Sequence, residues 1–229
     1  HYYTFDFDGN LMIRDTKDVP SSTGDSRTYE FENNNNMTLT FSNVTIRLNT
    51  TSNNDYTFVF DMFTTGDIRI IDSEINATRF RTSTIELKGS EILIQNSTLW
   101  SGARHESSGT SCNHYYYSQS QCINAGWFTY LYSYLTLDAN NLTIEDSDLK
   151  ATSEMTSSQS TNQYLHYYRK AWTYVTVDVE YGMKVHDSLI RDFVLNNGPI
   201  SENNEANLEY EITSPNLEVH DSTLKGRSI

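Results

Sequence analysis

The sequence predicts an all-β chain wound as a parallel β-helix of about seven coils, and three observations carry that expectation. A short apolar alternation recurs along the chain. Most copies contain an Asp or Asn followed by a small hydroxyl residue. The distance between copies varies while the phrase does not. The clearest copy spans 134–151, where Leu135/Leu137, Leu142/Ile144 and Leu149/Ala151 alternate with polar residues. Period 2 puts each pair on one face of an extended chain. Asp138-Ala-Asn140 and Asp146-Ser147 punctuate the runs with turn-forming residues. Runs this short are marginal as free hairpins, so stacking on copies of the same unit is the expected way to bury them.

The copies follow in order. Phe5/Phe7 and Leu11/Ile13 lead to Asp15-Thr16. Tyr29/Phe31 and Leu39/Phe41 lead to Asn43-Val44 and Ile46/Leu48. Phe58/Phe60, Ile68/Ile70, Asp72-Ser73 and Ile75/Ala77 form the third, and Ile85/Leu87, Ile92/Ile94, Asn96-Ser97 and Leu99 the fourth. Beyond 151 come Val175/Val177, Met183/Val185, Asp187-Ser188 and Ile190, then Tyr210/Ile212, Leu217/Val219, Asp221-Ser222 and Leu224. The first copy is the weakest, because Asp18 fills its last apolar slot. Successive anchors at 15, 43, 72, 96, 146, 187 and 221 lie 28, 29, 24, 50, 41 and 34 residues apart. A fixed cross-section with connections of variable length accounts for that pattern. At one inter-strand spacing per coil, seven coils make a rod about 34 Å tall.

The phrase Asn-Leu-Thr-Ile-Glu-Asp-Ser-Asp-Leu (141–149) and its relatives resemble the parallel β-helix repeats of the pectin-lyase-like superfamily. The resemblance covers nearly the whole chain outside the long connections. It implies a fold, with right-handed coils in keeping with the crossover rule. Activity does not follow, because that superfamily holds lyases, hydrolases, phage tailspikes, adhesins and plain rods. Its pectin-active hydrolases carry Asn-x-Asp, Asp-Asp, Gly-His-Gly and Arg-x-Lys on neighbouring coils, and this sequence has no such set. Arg169-Lys170 falls in a predicted loop without an acidic partner motif, and no strand offers an Arg base beside clustered Asp. Neither catalytic residues nor a cofactor are therefore predicted.

One continuous domain over 1–229 is expected, with loop insertions at 101–133, 152–174 and 191–208. The chain opens inside one strand phrase and closes just after another, with no capping helix. The predicted partners are therefore the rest of a longer chain or copies of itself. A net charge of −14 without a cluster of Lys or Arg argues against nucleic acid. No apolar run approaches the length of a membrane span.

Asn43, Asp72, Asn96, Asp146, Asp187 and Asp221 are expected to stack as a turn ladder. The Asp carboxylates should accept backbone N–H bonds while touching water, with the following Ser or Thr turned inward. Cys112 and Cys122 most simply form a disulfide pinning the first loop. A zinc set of His105, Cys112, His114 and Cys122 fits by ligand type but not by spacing. The first two loops should emerge side by side, where Tyr116, Trp127, Tyr167 and Trp172 are candidates for stacking on sugars. Asn36, Asn49, Asn76 and Asn141 are the preferred N-glycosylation acceptors; Asn43 and Asn96 are disfavoured because a glycan there competes with ladder bonding. His186 and His220 share the phrase Val-His-Asp-Ser and should stack about 5 Å apart. Their type suits a metal or a pH-sensitive pair, but exposed repeat members are expected and no metal site is predicted.

The resulting expectation is a non-catalytic extracellular structural or surface module, a glycoprotein rod within a filament or adhesin. Two alternatives use the aromatic loops: a carbohydrate-active enzyme of tailspike type, and a sugar-binding module. Two carboxylates about 5–10 Å apart across a cleft would favour the enzyme.

Overall fold

In every copy of the phrase the same local event starts the architecture. Seven residues, Asp15, Asn43, Asp72, Asn96, Asp146, Asp187 and Asp221, adopt left-handed backbone conformations with φ between 46° and 53°. Asn and Asp tolerate that region because a short polar side chain offsets part of the steric cost. Each turns the chain sharply after a strand and, with one following residue, forms a two-residue corner between consecutive strands.

The computed structural model describes residues 2–6, 9–18, 26–49, 56–107, 112–113, 128–157, 165–166, 168–197 and 204–228. The first repeat contributes β1 (Tyr2–Asp6), β2 (Leu11–Arg14) and β3 (Lys17–Asp18). The second contributes β4 (Arg27–Asn33), β5 (Leu39–Ser42) and β6 (Thr45–Asn49), and the third β7 (Thr57–Thr64), β8 (Ile68–Ile71) and β9 (Glu74–Phe80). In the next three repeats the first two strands fuse. The fourth has β10 (Thr82–Gln95) and β11 (Thr98–Ser107), followed by a short β12 (Cys112–Asn113). The fifth has β13 (Phe128–Glu145) and β14 (Asp148–Ser157), followed by β15 (Leu165–His166). The sixth has β16 (Tyr168–His186) and β17 (Leu189–Asn197), and the seventh β18 (Asn204–Thr213), β19 (Leu217–His220) and β20 (Thr223–Ser228).

The chain is all-β with parallel sheets, an arrangement compatible with a parallel β-helix. One large sheet runs β1-β4-β7-β10-β13-β16-β18, with β2, β5, β8 and β19 beside it, a second runs β3-β6-β9-β11-β14-β17-β20, and β12 and β15 form a small antiparallel pair of their own. Each corner carries the chain from the first sheet to the second. The return connection varies, from the single residue Arg81 between β9 and β10 to residues 108–127 between the long strands β11 and β13. No helix among the described residues is long and apolar enough to cross a membrane.

Register aligns the inward residues in columns. Leu39, Ile68, Ile92, Leu142 and Met183 stack in one, and Phe41, Ile70, Ile94, Ile144 and Val185 in the next. All ten are buried. The interior is aromatic in the second and third repeats, where Phe31 meets Phe41 edge-on at 4.9 Å and Phe41 meets Phe60 at 5.8 Å. It becomes Val-rich in the sixth. Asp18, the polar intruder in the first repeat, aligns with Ile46, and its carboxylate accepts the hydroxyl of Tyr29.

The corner ladder differs from the expected one in its chemistry. The anchor Asp and Asn side chains are exposed. Two of them make lateral amide-to-carboxylate bonds along the ladder: Asn43 Nδ2 to Asp15 Oδ1 at 2.8 Å and Asn96 Nδ2 to Asp72 Oδ1 at 2.7 Å. From the second repeat to the sixth, the backbone N–H of the residue after the anchor goes instead to serine. Val44, Ser73, Ser97, Ser147 and Ser188 donate to the hydroxyls of Ser73, Ser97, Ser147, Ser188 and Ser222 one repeat further on, at 3.0–3.1 Å. Each of those hydroxyls donates in turn to the carbonyl two residues before it, at 2.5–2.7 Å. A hydroxyl can do both, and a carboxylate can only accept. Serine therefore carries the buried ladder, and the carboxylates stay in water where their mutual repulsion is screened.

The predicted insertions shrink. Strand continues to 107 and resumes at 128 in the first, continues to 157 and resumes at 168 in the second, and continues to 197 and resumes at 204 in the third. The added segments enclose a second apolar cluster of Ala103, Leu131, Met155, Ala171 and Val194. Among the buried residues beside it are Ser83, Ser101, Ser133, Ser153 and Thr173. Ser101 Oγ donates to Ser83 O at 2.8 Å, Ser133 Oγ to Ser101 O at 2.5 Å and Ser153 Oγ to Trp172 O at 2.7 Å.

Two substitutions test the corner by denaturant unfolding. Ser147→Ala strands the buried N–H of Ser97 and is expected to cost about 1–3 kcal/mol. Asp146→Ala pays about 1 kcal/mol for a Cβ in the left-handed region without a polar side chain, whereas Asp146→Gly should be close to neutral. Equal losses for Ala and Gly at 146 would mean that the carboxylate, not the backbone, sets the corner.

Candidate functional site

Tyr130, Tyr132 and Tyr134 alternate along β13 with buried Leu131, Ser133 and Leu135, so the strand's pleat aims the three rings outward. Along β16 the same alternation sets Lys170, Trp172 and Tyr174 against buried Ala171, Thr173 and Val175. Register pairs Tyr130 with Lys170, Tyr132 with Trp172 and Tyr134 with Tyr174. The rings form one continuous, half-exposed surface. Tyr132 lies 4.9 Å from Trp172, and Tyr134 stacks on Tyr174 at 4.9 Å with planes 5° apart. Tyr132 and Tyr134 are themselves parallel at 6.1 Å.

Lys170 Nζ sits 5.2 Å above the Trp172 ring, and Arg81 Nε donates to the Tyr130 carbonyl at 3.3 Å. Burial, and then the neighbouring tyrosines, hold the Tyr132 and Tyr134 hydroxyls above the usual phenol range. Both remain protonated donors at neutral pH. Apolar ring faces edged by hydroxyls and cations can stack on a sugar ring and hydrogen-bond its rim.

Of the four stacking candidates read from the sequence, Trp172 is in this surface. Tyr116, Trp127 and Tyr167 lie outside the described residues, as do Cys122 and His114. No disulfide is seen among the described residues. The backbone of Cys112 is described in β12, where it pairs antiparallel with His166 of β15. That bridge joins the two long connections, as their emergence from consecutive repeats led one to expect.

A second surface has a signal that the sequence reading missed. The residue four past each of the six anchors from Asn43 on points outward from the second sheet, and register stacks Arg47, Asn76, Trp100, Lys150, Arg191 and Lys225 in one column. Four of the 16 Lys and Arg residues scattered along an acidic chain thus share one column. A groove of about 350 Å³ there is lined by Trp100, Lys150, Thr152, Glu154, Arg191 and Lys225, among others. Lys150 Nζ lies 5.3 Å over the Trp100 ring and pairs with Asp148, and Trp100 Nε1 donates to Thr152 Oγ1 at 2.8 Å.

Acidic residues gather likewise on the first sheet, where Glu30, Asp61 and Glu86 are in register on adjacent strands. Burial, then Glu86, Glu30 and Glu32, push the Asp61 carboxyl up to about 6. The sequon residues Asn36, Asn49 and Asn141 are exposed and Asn76 half-exposed. The amide nitrogens of Asn43 and Asn96 are engaged in the ladder bonds described above.

In comparisons with family models, curated proteins and solved structures, nothing matches the chain.

Asp61 gives a pH test. Its folded-state value lies above its ordinary one near 3.8, so the fold favours the protonated acid. That contribution is complete below pH 3.8 and is lost as the pH rises through about 6. Asp61→Asn should raise Tm by roughly a few degrees at pH 7.5 and converge with the parent protein near pH 3.8. Parallel Tm curves across this range would rule out the shift.

Proposed function

We propose that the chain is a right-handed parallel β-helix serving as a non-catalytic structural module of an extracellular or cell-surface assembly, a stiff rod within a filament or adhesin. The observation that carries this reading is the invariant corner. Seven two-residue turns keep the same geometry while the connections between repeats change length freely. Invariance is thus concentrated in what holds repeats together, as a stack of repeats requires. Inward residues of the outer repeats support stacking on further repeats or on second copies: Leu217 is 47% exposed and Val219 39% at one end, and Leu11 and Ile13 are only partly buried at the other. Covalent glycans on Asn36, Asn49, Asn76 and Asn141 complete the proposal, since these acceptors face outward or stand at strand ends.

A second reading, a sugar-binding module, is favoured by the Tyr130–Tyr134 and Trp172–Tyr174 face. In this reading the rod displays the face, and no bond in a glycan is cleaved.

Electron microscopy of native material tests the first reading. A continuous filament with glycan density on any of the four asparagines is the expected result. Discrete particles that depolymerise a polysaccharide would overturn it in favour of an enzyme. For the second reading, titration with soluble glycans should give binding that Trp172→Ala weakens by about tenfold or more. Equal binding by both proteins would remove the aromatic face from the account.

A further inference from the structure

The phrase Val-His-Asp-Ser occurs twice, ending β16 and β19, and register pairs His186 directly with His220. Their rings stack with centroids 4.8 Å apart and planes 15° apart. Two residues before His220 on the same strand face, Glu218 brings Oε1 to 3.1 Å from His220 Nε2. One ligand atom from each of His186, Glu218 and His220 lies within 4.8 Å of the other two. We infer that these three side chains bind a divalent transition-metal ion, with Zn²⁺ the best chemical match, and that the ion clips the seventh repeat onto the sixth.

The donor set selects the ion. Two imidazoles and one carboxylate suit zinc and its neighbours, while calcium and magnesium prefer all-oxygen shells. Ligands at zinc distances sit about 3.4 Å apart in a tetrahedron, so Glu218 and His220 are already close enough and their separations from His186, at most 4.8 Å, must close by up to about 1.4 Å. Side-chain rotation supplies that movement, because His220 and Glu218 are 56% and 50% exposed. The backbone need not move. His186 O accepts the N–H of Asp146 at 3.1 Å and the hydroxyl of Ser188 at 2.5 Å, and His220 O accepts Asp187 N–H at 3.2 Å and the Ser222 hydroxyl at 2.6 Å. The corner ladder thus fixes the spacing of the two histidines before any ion arrives.

Neighbouring charges are compatible with a cation. Glu145 is in register with His186 and accepts a hydrogen bond from the Gln95 amide at 3.0 Å. Lys184 Nζ is 3.8 Å from Glu218 Oε2, an exposed pair that an incoming ion displaces at little cost. The net charge of −14 enriches cations near the surface. This clip acts where the apolar hold is weakest, since Leu217 and Val219 beneath it are uncovered on one side.

The test is a titration of the whole purified chain with Zn²⁺, read by the imidazole proton resonances assigned to His186 and His220 and by Tm. Both sets of resonances should shift together at about one equivalent, with a Tm rise that saturates. His220→Gln and His186→Gln should each weaken the response about tenfold or more, whereas Lys184→Ala should not weaken it. Mg²⁺ at the same concentration should leave the resonances unmoved. If Zn²⁺ binds while those resonances stay in place, or if the doubly substituted protein responds like the parent, the site is refuted. All these positions are at the surface, so the variants are expected to fold.

Discussion

From the third repeat to the seventh, the stack depends on one serine hydroxyl per repeat. At the corner the backbone leaves the ladder of one sheet and enters that of the other, so two peptide groups must find partners where regular pairing is interrupted. Ser73, Ser97, Ser147, Ser188 and Ser222 solve this with one atom each, accepting from the repeat before and donating within their own. A buried hydroxyl with both roles filled is inexpensive, and one with either role empty is not. Apolar columns supply the larger share of the burial but specify height poorly, because Leu, Ile and Val slide past one another with little penalty. The hydroxyl ladder sets the register that the columns fill.

The architecture was legible where the inward slots are large and apolar. Leu135/Leu137, Ile92/Ile94 and Met183/Val185 announce their strands by alternation, and all six are buried. Legibility failed on Ser101, Ala103, Ser133, Ser153 and Thr173, which are equally buried. Small hydroxyl residues in alternation look like loop composition, because a sequence does not show that each will meet another one strand spacing away. Period 2 was still present in Tyr130–Tyr134 and Trp172–Tyr174, with the aromatic residues outside and the small ones inside. Hydrophobicity alone inverts such a pattern.

The surfaces show the same limit from another side. Lys150, Arg191 and Lys225 lie 41 and 34 residues apart in the chain, so no local window joins them, yet each stands four residues beyond its anchor. Once the anchors are known, counting forward finds the column. His186 and His220 were legible because their repeats share four consecutive residues. Asp61 was not singled out, although Glu30 and Glu86 flank it in register. Only the pairing of three strands turns those dispersed carboxyls into neighbours, and burial does the rest.

The return connections all leave from the junction opposite the serine corner. Closing a loop grows costlier only with the logarithm of its length, about 0.6 kcal/mol per doubling. A stretch between 108 and 127 can therefore be lengthened, shortened or replaced by unrelated sequence without disturbing the register set on the far side. Selection acting on that flank is uncoupled from selection on the stack. The molecule is in that sense a chassis: it can change what it carries without relearning how to fold.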